Sequence, residues 1–140
     1  MDETLLFKMA VVWDKGPIGL GWHYHRSYEF VMVAQKPGKV KWYDQTHRVE
    51  NIIRPEPWAR KIIPTAEDHP TAKPVGLFAR FISWHTQQGD LVLDPFLGGG
   101  TAAVACTDLA RRWIGFELDP KWVAYSEKRA KVSQDQLRLF

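Results

Sequence analysis

The residues best suited to chemistry lie in one run, Asp94-Pro95-Phe96-Leu97-Gly98-Gly99-Gly100-Thr101, with a further acid, Glu117, downstream. Glycines let a backbone approach a ligand closely and take conformations that a side chain forbids. A helix opening directly after them offers unpaired N–H groups and a dipole that favour anionic or hydroxyl-bearing groups. A carboxylate at the end of the next strand can accept hydrogen bonds from both hydroxyls of a ribose. Together these features describe a pocket for a nucleoside-bearing cofactor. No Gly-Lys-Ser/Thr follows the glycines, which excludes a nucleotide-triphosphate loop, and their spacing is not the G-x-G-x-x-G of dinucleotide folds. A glycine turn alone is often only a tight turn; the strand-end acid makes it a cradle.

The elements needed to hold that run can be read around it. Residues 91–94 (LVLD) predict a short buried strand and 101–112 an alanine-rich helix. Residues 113–118 (WIGFEL) predict a strand ending near Glu117, and Asp119-Pro120 starts a helix to about residue 132. Strand, turn, helix, strand, helix is a βαβα unit with a parallel sheet. Upstream, Val75, Phe78, Phe81, Ile82 and His85 recur at helical spacing, with Pro74 in the first turn. Residues 9–13 and 28–34 are β-branched and aromatic, as buried strands are. Residues 37–68, with Pro37, Pro55, Pro57 and Pro64, predict a long loop with at most one short strand, an excursion of the length that loops with a function have.

Here a resemblance becomes specific. Asp94 to Thr101 resembles motif I of the N6-adenine and N4-cytosine DNA methyltransferases, and His69-Pro70-Thr71-Ala72-Lys73-Pro74 resembles their motif X, H-P-T-x-K-P. Arg111 to Pro120 is similar to the segment that closes the cofactor pocket. Val12 to Lys15 and Tyr28 to Val31 are similar to stretches between the catalytic motif and the target-recognition region. The likeness covers nearly all of residues 10–130, with motif X preceding motif I.

The resemblance implies an α/β fold: a partial Rossmann-like S-adenosylmethionine-dependent methyltransferase, with a parallel βαβ unit plus a β-hairpin. Within one partial domain, 1–35 would be the hairpin strands, 36–68 a target-recognition insert and 69–140 the cofactor-binding half. Asp94, Phe96, Gly98, Gly100 and Thr101 would line the methionine and ribose side of S-adenosyl-L-methionine. Glu117 would hold the ribose hydroxyls and Phe116 would lie against adenine. From motif X, His69, Thr71 and Lys73 join the set, Thr71 and Lys73 facing the methionine carboxylate; by itself His69 reads as a turn or capping residue. Gly99 stands where the family often has Ser, a lost hydroxyl that leaves the turn intact.

The expected macromolecular partner is double-stranded DNA, as in restriction–modification. Trp22, His23, Tyr24, His25 and Arg26 are candidates for backbone or stacking contacts, and Lys39, Lys41 and Arg48 for phosphates. The chain is mildly basic, with net charge +3 and a pI of about 9.1, which is compatible with nucleic acid and with a merely solvated face. His23 and His25 have no further ligand cluster beside them, so no metal is expected. Trp42, Tyr43 and Trp58 suit a core as well as a base.

The family's catalytic tetrapeptide, Asp/Asn/Ser-Pro-Pro-aromatic, is not found: no Pro-Pro occurs in the sequence. Asp119-Pro120-Lys121-Trp122 comes nearest, but it follows Glu117 and opens a helix, a place on the cofactor wall. No catalytic residue is therefore nominated. Without the central strands, long apolar edges would be exposed, so a partner chain or self-association fills the gap, the strands rearrange, or the protein is marginally stable. The single cysteine, Cys106, excludes an internal disulfide and fits a buried position in a reduced, cytoplasmic protein. With 45% apolar residues, no run of about 18 apolar residues and no signal-peptide pattern, a globular protein without a membrane span is expected.

Overall fold

A computed structural model describes residues 5–16, 22–54 and 69–137. The expectations for Trp58 and for the rest of the 55–68 stretch lie outside the described residues. The elements are β1 (Leu6–Asp14), β2 (Tyr28–Gln35), β3 (Ile52–Ile53), α1 (Val75–His85), β4 (Leu91–Asp94), α2 (Thr101–Asp108), β5 (Arg112–Gly115) and α3 (Pro120–Leu137). The chain separates into two compact units.

The first unit comprises residues 1–41 and 45–62. β1 and β2 pair antiparallel from Leu6↔Gln35 to Asp14↔Tyr28, with an irregularity between Phe7 and Met9. The short β3 adds on the other side of β1 in parallel, giving the order β2-β1-β3. Among the described residues it is the one short strand of the Pro-rich stretch. β2 alternates strictly, Tyr28, Phe30 and Met32 exposed and Glu29, Val31 and Val33 partly covered. Lys15 and Glu29 form a 2.8 Å ion pair across the hairpin.

The second unit comprises residues 42–44 and 63–140. β4 and β5 pair in parallel, Leu91↔Arg112 to Asp94↔Gly115, with α2 as their connection. Alanine explains the packing of α2: Ala102, Ala103, Ala105 and Cys106 are buried, and small side chains let α1 and α3 come close. Ile82 of α1, Ala105 and Cys106 form one core with Val75, Phe78, Val92, Leu109 and Trp113 against it. Leu97, Ala103 and Ala130 form the other. Burial pushes the Cys106 thiol up to about 11, so it is an inert core residue.

Several boundaries differ from the sequence reading. α1 begins at Val75 as expected, but Pro74 is extended (φ −60°, ψ 133°) and stands at the N-cap rather than in the first turn. The buried positions of α1 are Leu77 and Ile82, while Phe81 turns its ring to Trp84. α2 stops at Asp108, where Ala110 takes a positive φ of 56° and ends the helix. β5 ends at Gly115, two residues short of Glu117, yet the Phe116 N–H still donates to the Asp94 carbonyl at 2.9 Å. α3 runs on to Leu137. Trp42 and Tyr43 belong to the second unit: Tyr43 N–H donates to the Trp84 carbonyl and the Trp42 ring stacks on Trp84.

Candidate cofactor site

The site forms where β4 and β5 end and α2 begins. After Asp94 the chain must turn back into a helix within a few residues. Asp94 Oδ1 accepts the Phe96 N–H at 3.0 Å, which tightens the first bend. The Leu97 N–H donates to the Phe116 carbonyl at 2.8 Å, fastening the turn to the neighbouring strand. Gly115 permits that approach, since a Cβ there would meet the Leu97 side chain at 2.7 Å. Gly100 has φ +77° and caps α2, and a Cβ on it would lie 2.6 Å from Ser126 Cβ and 2.8 Å from Ser126 Cα. Only glycine meets both demands.

Glu117 is drawn into this turn. Its Oε2 accepts the Gly98 N–H at 2.9 Å, and its Oε1 accepts the N–H groups of Leu118 and Asp119 at 2.8 and 3.0 Å. The Asp119 N–H holds the carboxyl below the usual carboxylate value; desolvation opposes this, while the Gly98 and Leu118 N–H groups and a positive charge on His69 add to it. An ionised carboxylate has roughly four lone-pair positions. Three are spoken for by backbone, which fixes the group while leaving capacity for a hydroxyl donor.

The segment 69–74 packs directly on the glycine turn. The Thr101 hydroxyl donates to the Lys73 carbonyl at 3.1 Å, so Thr101, itself buried, ties the two motifs together. A Cβ on Gly99 would sit 2.9 Å from His69 Cβ, so the glycine in place of Ser lets His69 dock against the turn. The His69 ring meets Trp122 edge-on, with 4.5 Å between centroids. The Thr71 N–H donates to His69 Nδ1 at 3.3 Å, and the Thr71 hydroxyl lies 3.1 Å from the same atom. Arg129 donates to the Gly99 carbonyl from the far side and lies 5.7 Å from the Tyr125 ring centroid.

The structure thus brings Asp94, Gly98, Gly100, Thr101, Glu117, His69, Thr71 and Lys73 into one cluster. Phe96 and Phe116 stand at its edge, 88% and 60% exposed, with their backbone N–H groups bonded to Asp94. Arg111 and Arg112 are elsewhere. β5 starts at Arg112, opposite the glycine turn; Arg111 Nη2 donates to the Thr86 carbonyl and Arg112 Nε to that of Gly89. They pin the loop after α1 and do not close the pocket. Sequence reasoning set Trp122 on the cofactor wall but missed Arg129 as a neighbour of the turn. A signal existed in Trp122, Tyr125 and Arg129, which recur at helical spacing directly after Glu117.

The nominated DNA contacts lie in the first unit. Trp22, His23, Tyr24, His25 and Arg26 are all exposed, as are Lys39, Lys41 and Arg48. Among the described residues no group of His, Cys, Asp and Glu could hold a metal ion, and no helix is long and apolar enough to cross a membrane.

Residues 2–128 match the N6/N4 family model described as DNA methylase. The Type II methyltransferase M.HhaII of Haemophilus parahaemolyticus is 37% identical over 109 residues, 77% of this chain and 45% of that protein. M.XycI of Xanthomonas campestris pv. cyanopsidis is 31% identical over 137 residues, 91% of this chain and 45% of that protein. The crystal structure of an M1.HpyAVI–SAM complex superposes with a TM-score of 0.70 at 30% identity, covering 89% of this chain and 62% of that one. PvuII DNA methyltransferase (cytosine-N4-specific) shares the fold, with a TM-score of 0.75 at 19% identity. The chain spans about half the length of the curated relatives it matches.

Proposed function

The chain belongs to the N6/N4 DNA methylase family, and on that premise we propose that it is the S-adenosylmethionine-binding half of a DNA amino-methyltransferase. The observation that carries this reading is the Glu117 carboxylate bound to the Gly98 N–H, with 69–74 tied to the same turn through Thr101 and Lys73. The residues suit the cofactor. Glu117 is a fixed acceptor for a ribose hydroxyl, Lys73 a cation for a carboxylate, and Phe96 and Phe116 offer open aromatic faces for adenine. When bound, the cofactor supplies a methyl group on a sulfonium centre. The chain's own residues bind and orient it: the glycine turn admits it closely, and Asp94 places negative charge beside a cation.

Methylating N6 of adenine or N4 of cytosine also needs acceptors around the amino nitrogen and a ring to stack on the flipped base. The family's tetrapeptide for that task is not within these 140 residues. We therefore read the chain as one part of a truncated or split enzyme whose transfer step uses a segment from outside this sequence. The outer side of the β4–β5 sheet favours this. Leu91, Leu93 and Ile114 are 51%, 60% and 46% exposed, whereas parallel sheets are covered on both faces. Duplex DNA is the substrate in this reading, with residues 36–68 as the target-recognition insert, 1–35 as hairpin strands and 69–140 as the cofactor half, in a reduced cytoplasmic setting. The second reading, a non-catalytic module that binds cofactor or DNA and completes a partner's sheet, rests on the same bare face.

Calorimetric titration of the purified chain with S-adenosylmethionine tests the proposal, with Asp94→Ala and Glu117→Ala alongside. Micromolar-range binding, weakened tenfold or more by each substitution, is expected. A folded, monodisperse chain that binds nothing would overturn it.

A further inference from the structure

A cavity of about 610 Å³ lies along α2 and α3, outside the cluster around Glu117. Its rim carries Lys121, Lys128 and Arg129, and its apolar lining comes from Val104, Tyr125 and Val132. These α3 residues recur every three or four positions, so they form one stripe of the helix. None of the eight lining residues is acidic, and none of the three cations is ion-paired among the described residues. The acid tied to the groove wall, Asp108, takes the Ser133 hydroxyl. Three like charges around one concavity repel each other, and an anion would relieve them.

We propose that this groove binds the phosphate backbone of duplex DNA, as a contact separate from the first unit's basic residues. The spacing of the cations supports an extended polyanion. Lys121 and Lys128 are separated by about 10 Å along the helix axis, and one DNA strand places a phosphate every ~3.4 Å of its axis. The two ammonium groups therefore reach phosphates about three nucleotides apart. The valines favour a backbone over a free polyphosphate, because a nucleic-acid strand alternates anionic groups with apolar sugar faces. Arg129 links the groove to the cofactor site, since its guanidinium also donates to the Gly99 carbonyl of the glycine turn.

The choice of DNA as ligand rests on the proposed function, and the test separates the two. Binding of a random-sequence duplex is measured against salt for the full chain, for Lys121→Ala/Lys128→Ala and for Lys131→Ala, a cation of α3 that does not line the groove. Cofactor titration accompanies each variant. Arg129 is left intact because of its bond to the turn. The double variant is expected to lower the slope of log K against log salt by about two, near 0.9 for each phosphate that is no longer neutralised. Lys131→Ala should leave both the slope and the cofactor affinity unchanged. An unchanged slope in the double variant, an equal effect per charge at Lys131, or a wild-type chain that binds no duplex would each overturn the groove. Displacement of the duplex by inorganic tripolyphosphate at equal phosphate concentration would overturn the backbone as its ligand. Duplex binding with the expected slopes but without cofactor binding would sink the proposed function and leave the groove standing.

Discussion

The two units treat their apolar residues in opposite ways. Around the glycine turn, three helices close over one side of a two-stranded sheet and bury Leu77, Ile82, Leu97, Ala103 and Ala105. In the hairpin unit only Val11 and Ile53 are buried among the described residues, while Leu6, Phe7, Met9, Tyr28, Phe30 and Met32 are exposed. Both units are rich in apolar side chains, so composition does not separate them. What differs is whether the sequence brings its own cover. Residues 69–137 alternate helix and strand, and each helix has a strand to lie on. The hairpin has strands alone, and strands cannot cover their own faces.

If the second unit is held by its own packing, its turn should be the most sensitive point. Gly100→Ala combines a left-handed backbone with a Cβ placed 2.6 Å from Ser126 Cβ. Strain of about 1–3 kcal/mol and overpacking of about 1–3 kcal/mol together predict a loss of about 2–6 kcal/mol in urea unfolding, with cofactor binding lost. Gly89→Ala is the companion. Gly89 has φ +81° but nothing within 4 Å of a Cβ, so only strain applies. A cost of about 1–2 kcal/mol is expected there. Equal costs at the two positions would mean that Ser126 yields, and that the turn is less tightly packed against α3 than the geometry shows.

Ile82→Ala probes the core itself. Ile82 is 7% exposed and packs on Ala105 and Cys106, both fully buried. Truncation should cost about 2–5 kcal/mol, read as a lower urea midpoint with an unchanged slope. A change near zero would remove the contrast between the units, because it would show that this core too depends on a cover that the chain does not bring.

The same contrast explains what could be read from the sequence. Asp94 to Thr101, His69 to Pro74 and Glu117 were legible because each demand is local: a glycine for a positive φ, an acid at a strand end, a proline beside a helix start. The order of these motifs then fixed the βαβα arrangement. Their joining was not legible. Nothing in the local pattern of His69 or Gly99 says that the ring docks where a serine Cβ would stand. Nor does it show that Arg129, thirty positions away, takes the Gly99 carbonyl. The end of β5 was misplaced because WIGFEL reads as a continuous strand, whereas Glu117 leaves the ladder to accept three N–H groups. Arg111 and Arg112 open the segment that the resemblance sets against the pocket, but they stand at the start of β5, at the far end of that strand from Glu117.

The smallest expected effect bears on the hairpin. Phe30 is 59% exposed, its ring 5.3 Å from that of Tyr28, on a face whose neighbours are also bare. Phe30→Ser should change the stability of the isolated chain by no more than about 0.5 kcal/mol, as exposed positions do. It should also reduce concentration-dependent association in sedimentation, because it breaks a contiguous apolar patch on a sheet. A loss comparable to that of Ile82→Ala would mean that this face is covered in solution. The hairpin would then have found in another molecule the layer that the second unit draws from its own helices, and the exposure of Tyr28, Phe30 and Met32 would belong only to the chain considered singly.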